Sequence, residues 1–159
     1  MKKLFLFAII CILLAGCAPN VTVKGDMKLS QNTPFAISYI ENQCGINPEG
    51  KDSVQLMKDA IDKAIAESQL PQGKDGYAID VIITEYQPGD AFKRWLMPGW
   101  GETKLTVQCI VKEINGDKAG EMEVSKSIAD GGAYTIGAWN YVFSDVAKAM
   151  VEEIKKRIV

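Results

Sequence analysis

The side chains of this 159-residue chain that could do covalent chemistry are four thiols, at Cys11, Cys17, Cys44 and Cys109, and a scatter of carboxylates. Histidine is absent. Imidazole is the usual base of Ser-His-Asp and Cys-His nucleophilic sites and a frequent zinc ligand, so its absence disfavours those mechanisms. Paired carboxylates can cleave glycans, and Asp80 and Glu85 are the candidates, but both fall at strand and strand-end positions that solvated acids commonly occupy. Gly99-Trp100-Gly101 precedes a strand, so no helix N-terminus follows it to receive a phosphate. The Gly131-Gly132 loop does precede a helix, but no Lys-Ser or Lys-Thr pair follows, and backbone freedom is the simpler reading. The expectation is a chain with no catalytic residues, no cofactor and no metal.

Cys17 stands in a setting that assigns its chemistry. Lys2 and Lys3 form a basic start, Leu4 to Leu14 is an unbroken apolar run, and Leu14-Ala15-Gly16-Cys17 closes it. That order resembles the signal and lipobox of bacterial lipoproteins, where peptidase cleavage leaves an acylated cysteine at the new N-terminus. The resemblance implies a signal peptide over 1–16 and three acyl chains on Cys17. Each buried CH₂ contributes about 0.8 kcal/mol, so three chains make an effectively permanent membrane tether. An uncleaved anchor is the rival reading, but eleven apolar residues fall short of the roughly 20 that span a bilayer. An ordinary secretory signal fits Ala15-Gly16 without explaining the cysteine. Residue 18 is alanine and not aspartate, which by the sorting rule of such lipoproteins implies the outer membrane, with the body facing the periplasm.

Removing residues 1–16 leaves 143, enough for one domain with a proper core. The mature chain carries 16 basic and 20 acidic side chains, net −4, which argues against a nucleic-acid partner. Once Cys11 leaves with the signal and Cys17 is acylated, Cys44 and Cys109 remain in an oxidising compartment. They are a candidate disulfide, the alternative being a buried free thiol at Cys109.

These residues must be positioned by the rest of the chain. Residues 17–33 read as the lipidated cysteine and a mobile tether, with a brief alternation at Val21-Thr22-Val23 that could add an edge strand. The domain occupies 34–159. Phe35, Ile37 and Tyr39 alternate as one strand, and Glu41 to Gly50 is a loop holding Cys44. Asp52 or Ser53 caps a helix to about Gln69, its apolar stripe formed by Val54, Met57, Ile61, Ala64 and Ile65. Tyr77, Ile79, Val81 and Ile83 open the next strand. Thr103–Ile114 and Gly120–Ile128 form a hairpin around a type I′ turn at Asn115-Gly116, a register that sets Cys109 opposite Met122 and Val107 opposite Val124. Trp139, Val142, Phe143, Val146, Met150, Ile154 and Ile158 stripe a closing helix with Lys155, Lys156 and Arg157 in its last turn. The order βαβββα predicts an α+β two-layer sandwich, a four-stranded, mainly antiparallel sheet with two helices on one face.

The lipobox, the Arg94-to-Gly101 segment with Gly99 and Gly101, the hairpin glycines, the Gly131-Gly132 loop and the final helix together resemble a family of small bacterial lipoproteins described as a domain of unknown function. The resemblance covers roughly residues 34 to 158 and implies no catalytic residues. The order of elements also resembles periplasmic lipoprotein modules that activate cell-wall synthases or assemble secretion pores, a likeness of fold that assigns no chemistry.

The stretch with the greatest functional content is Gln87 to Gly101, where Phe92, Arg94, Trp95, Leu96 and Trp100 crowd a connection that ought to be polar. Three readings stand: a lid covering the core, a partner surface with Trp and Arg as anchors, and insertion at a membrane surface, where Trp belongs at headgroup depth. At the level of function, a tethered module binding a protein partner in the cell envelope stands against a periplasmic enzyme acting on an envelope polymer. The tether is directly testable. Cys17→Ser should abolish labelling by a fatty-acid probe and leave the precursor uncut; persistent labelling would refute acylation at this residue.

Overall fold

The computed structural model describes residues 18–97, 100–129 and 137–159, and only the backbone of Ala91 and Arg94. The signal, Cys17, Gly99 and the Gly131-Gly132 loop lie outside the described residues. The elements are β1 (Asn20–Lys24), β2 (Phe35–Asn42), α1 (Ser53–Ser68), β3 (Tyr77–Gln87), α2 (Ala91–Leu96), β4 (Thr103–Lys112), β5 (Lys118–Ile128) and α3 (Ala138–Lys156). The α+β class is as the sequence implies. The sheet is not: it has five strands, ordered β1-β5-β4-β3-β2, and is mixed, because β2 and β3 run parallel. A strand, helix and strand in succession carry the chain back to its starting edge, which is how parallel neighbours are made.

The fifth strand comes from the segment expected to be a tether. Asn20–Lys24 pairs antiparallel with β5, from Asn20 opposite Ser125 to Lys24 opposite Glu121. Met27 and Leu29 then enter the core, and Met27 lies against Gly120, where a Cβ would collide with its side chain. Leu29 N–H donates to the Arg157 carbonyl at 2.9 Å and Val159 N–H to the Leu29 carbonyl at 3.0 Å, tying the segment to the chain end. Glu121 clasps β1 to the sheet. It takes Lys24 at 2.9 Å, Gln108 Nε2 at 2.8 Å and Lys118 at 3.0 Å, and these partners hold its carboxyl down to about 2.

Two irregularities decide which side chains face inward. In β2 the register shifts between Ile37 and Tyr39, so the simple alternation fails: Phe35 is buried, but Tyr39 turns outward and Ile40 packs against the core. In β3 the shift between Ile83 and Glu85 makes Thr84 the extra residue, so Ile79, Val81 and Ile83 are followed inward by Tyr86. Each bulge inserts one residue and thereby exchanges the two faces beyond it.

The hairpin register is as expected at Cys109–Met122, Val107–Val124 and Leu105–Lys126. Its turn is not type I′. Only Gly116 has positive φ (91°), Gly116 N–H donates to the Glu113 carbonyl, and Glu113 N–H closes on Asp117. The loop is therefore the three-residue form with glycine in the left-handed position. Ala119 is the extra residue where the ladder shifts from Val111–Gly120 to Lys112–Lys118.

The two long helices lie side by side on one face of the sheet. Asp52 caps α1 by accepting from Val54 N–H at 2.9 Å, and Met57, Ile61, Ala64 and Ile65 are buried as their spacing requires. On α3, Val142, Phe143, Val146, Met150 and Ile154 are buried, while the helix stops at Lys156 and Ile158 bridges to Leu29 instead. Because Leu29 is a fully buried part of this interior, Leu29→Ala should cost about 2–5 kcal/mol of stability in urea unfolding; a cost near zero would restore the tether reading of this segment.

Candidate functional site

The aromatic segment is a built structure rather than a slack loop. Asp90 N–H donates to the Gly101 carbonyl at 2.9 Å and Thr103 Oγ1 to the Pro88 carbonyl at 3.0 Å, which together close its base. Gly101 has φ of 66°, and a Cβ there would press on the Asp90 carbonyl at 2.7 Å, so glycine is required on two counts. Asp90 Oδ1 then accepts from Phe92 N–H at 2.9 Å and Lys93 N–H at 3.1 Å, capping α2. Met97 N–H returns to the Lys93 carbonyl and Trp100 N–H to the Met97 carbonyl, each at 3.0 Å.

On this frame Phe92, Trp95 and Leu96 share one side of the helix by their spacing, and that side faces water. Exposure is 66% at Phe92, 69% at Trp95, 56% at Leu96, 49% at Met97 and 60% at Trp100, which excludes a lid over the core. The Phe92 and Trp95 rings stack with centroids 6.2 Å apart. Lys93 reaches Asp90 at 3.9 Å, and Arg94 occupies the same helix with its side chain outside the described atoms. Monomeric domains seldom leave a contiguous apolar patch of this kind without a use.

The segment's place in the molecule follows from the ladders. Gln87 pairs with Lys104 and Thr103 with Ile128, so the β3–β4 connection lies at one end of the sheet. Asn20, opposite Ser125, begins β1 at that same end. Only Ala18 and Pro19 separate Asn20 from Cys17.

The two thiols are apart and free. Cys109 is buried on the helix-facing side of β4, where burial first, and then the nearby Asp80 charge, pushes its thiol up to about 12. Cys44 follows β2, donating to Asn42 Oδ1 at 3.0 Å, and its N–H meets the Ile83 carbonyl across β3. Strand β3 therefore stands between them, two interstrand steps of about 4.8 Å each, beyond the roughly 7 Å that a disulfide spans between Cα atoms. The pairing expected of Cys44 and Cys109 is not made.

The acids considered for glycan cleavage are also separated and engaged. Asp80 pairs with Lys112 at 2.5 Å, and Glu85 with Lys104 at 2.9 Å while accepting from Thr106 Oγ1 at 3.1 Å. The Lys104 contact, more than the Thr106 bond, holds the Glu85 carboxyl below its ordinary value. Both project from the sheet face opposite the helices and serve as cross-strand ties. The described residues contain no cluster of acids or cysteines arranged to hold a metal. A signal missed in the sequence is Ile46, exposed in the β2–α1 connection, and Tyr141, exposed in the first turn of α3; both lie at the same end as the aromatic segment, which only the topology reveals.

Fold and surface together define a small α+β module, one sheet backed by two helices, with an apolar projection at one end. The chain belongs to the family described as a domain of unknown function, DUF4410, whose model matches residues 30–132. No curated protein matches it. Among solved structures it is similar to the PelC dodecamer from Paraburkholderia phytofirmans, at 11% identity and a TM-score of 0.53, covering 83% of this chain and 96% of that one. A PelC variant from the same organism gives 9% and 0.54 over the same shares. A minor lipoprotein from Acinetobacter baumannii is 15% identical with a TM-score of 0.38, covering 79% and 92%. At these identities the PelC likeness is one of fold.

Exposed rings contribute little to folding. Trp95→Ala and Trp100→Ala should each shift the urea midpoint by the equivalent of less than about 1 kcal/mol, against the 3–5 kcal/mol typical of a buried Trp; a loss in the buried range would make the segment part of the core.

Proposed function

We propose that the chain is a membrane-tethered periplasmic lipoprotein of the outer membrane that works as a binding or assembly module for an envelope partner and performs no catalysis of its own. The observation that carries this reading is the capped, hydrogen-bonded projection that holds Phe92, Trp95, Leu96, Met97 and Trp100 in water. A backbone hydrogen-bonded before contact loses little conformational freedom when its side chains are covered, which favours binding. Two further facts support it. Asp80 and Glu85 are committed to Lys112 and Lys104, and the PelC fold, which this chain resembles, is used in a dodecamer.

The test is photo-crosslinking in intact cells. A photoreactive residue in place of Trp95 or Trp100 should give a discrete envelope adduct, to protein or to lipid. The same residue at Ile114, exposed on the hairpin at the other end, should not. Equal labelling at all three positions, or none, would overturn the reading.

A further inference from the structure

We infer that Phe92, Trp95, Leu96, Met97 and Trp100 dock on the lipid bilayer itself, beside the acyl chains of Cys17, so that anchor and projection hold the domain to the membrane at two places. This rests on the tethered-module reading and names the partner of its exposed surface.

The argument is one of lengths. Three chain steps separate Cys17 from Asn20, and extended chain spans at most about 3.6 Å per residue, so Cys17 lies within roughly 11 Å of the start of β1. In the ladders Asn20 is level with Ser125 and Thr106, and the sheet continues from there to Thr103 before the aromatic segment begins. Those three residues add about 10 Å at 3.3 Å each. The projection therefore reaches about as far past Asn20 as the leash allows Cys17 to go. With the acyl chains seated and the strands upright on the membrane, the leash brings the rings level with the bilayer surface. A single helix with its side chains is about 10 Å across, so a protein partner cannot lie between projection and membrane unless the whole domain tilts away about its tether.

The chemistry of the segment agrees with the geometry. Trp95 and Trp100 are side chains that settle at headgroup depth, Phe92, Leu96 and Met97 supply apolar reach, and Lys93 adds a basic group beside them. Ile46 and Tyr141 are exposed at this same end. In this orientation the polar face of the sheet and the β1 and β2 edges stay clear of the bilayer, open to an envelope protein.

The experiment uses the full mature protein, purified with its acyl chains and reconstituted in vesicles of phosphatidylethanolamine and phosphatidylglycerol carrying brominated acyl chains. In a Trp139→Phe background, Trp95 alone (with Trp100→Phe) and Trp100 alone (with Trp95→Phe) report separately. Each is expected to lose most of its emission, and more to bromines near the headgroups than to bromines near the bilayer centre. Acylated protein whose Trp95 and Trp100 emit as in unbrominated vesicles would overturn the docking while leaving the tether intact. A protein adduct in cells from Trp95 or Trp100, with no lipid adduct, would likewise overturn it and leave the binding module standing. If the mature protein's mass shows no acyl chains, the tether reading fails on its own, and quenching of the unacylated chain added to the same vesicles then decides docking: retained quenching supports it and none overturns it.

Discussion

The structure depends on one apolar interior closed between a single face of the sheet and two helices. Strands β4 and β5 present Leu105, Val107, Cys109, Val111, Met122 and Val124 to Met57, Ile61, Phe143, Val146 and Met150, all buried. Because that face must be continuous, every departure from strict alternation has to be corrected within the strand. The bulges at Ser38 and Thr84 make the correction, and Tyr86 packs against Phe143 in a tilted pair, their ring centroids 5.7 Å apart, as a result. Burial without a hydrogen-bond partner among the described residues pushes its phenol up to about 12.

The opposite face is ordered by charge. Asp80–Lys112, Glu85–Lys104 and the Lys24–Glu121–Lys118 group span adjacent strands. The lysine ends are solvated, which screens each pair, while Asp80 and Glu121 are largely covered; the pairs bear mainly on register and on which strands pair. The pH sense follows from Glu121. A carboxyl held down to about 2 in the fold stabilises β1 above its ordinary value of 4.5, and that contribution fades as pH falls toward 2.

Exposed apolar side chains concentrate where the chain leaves regular structure at one end. Connections there need not bury apolar side chains, and this one does not, although its base is fixed by Asp90, Gly101 and Thr103. A rigid base with wet rings suits contact more than motion.

Much was determined by the sequence alone, wherever a local rule suffices. The helices over Ser53–Ser68 and Ala138–Lys156 follow from their apolar stripes, because a helix repeats every few residues whatever surrounds it. The Asp52 cap and the hairpin pairing of Cys109 with Met122 are similarly local, and the apolar density of residues 92–100 marked the projection. Tertiary structure decided the rest. Whether Asn20–Lys24 is tether or strand depends on β5 offering an open edge, and whether Tyr39 faces in or out depends on a bulge set by the neighbouring strand. The fate of Cys44 and Cys109 turns on β3 passing between them, and the coincidence of the start of β1 with the end that carries Trp95 and Trp100 turns on strand order. Each joins residues distant in sequence, and such long-range pairings are set by packing of the whole sheet, which no local pattern of side chains contains.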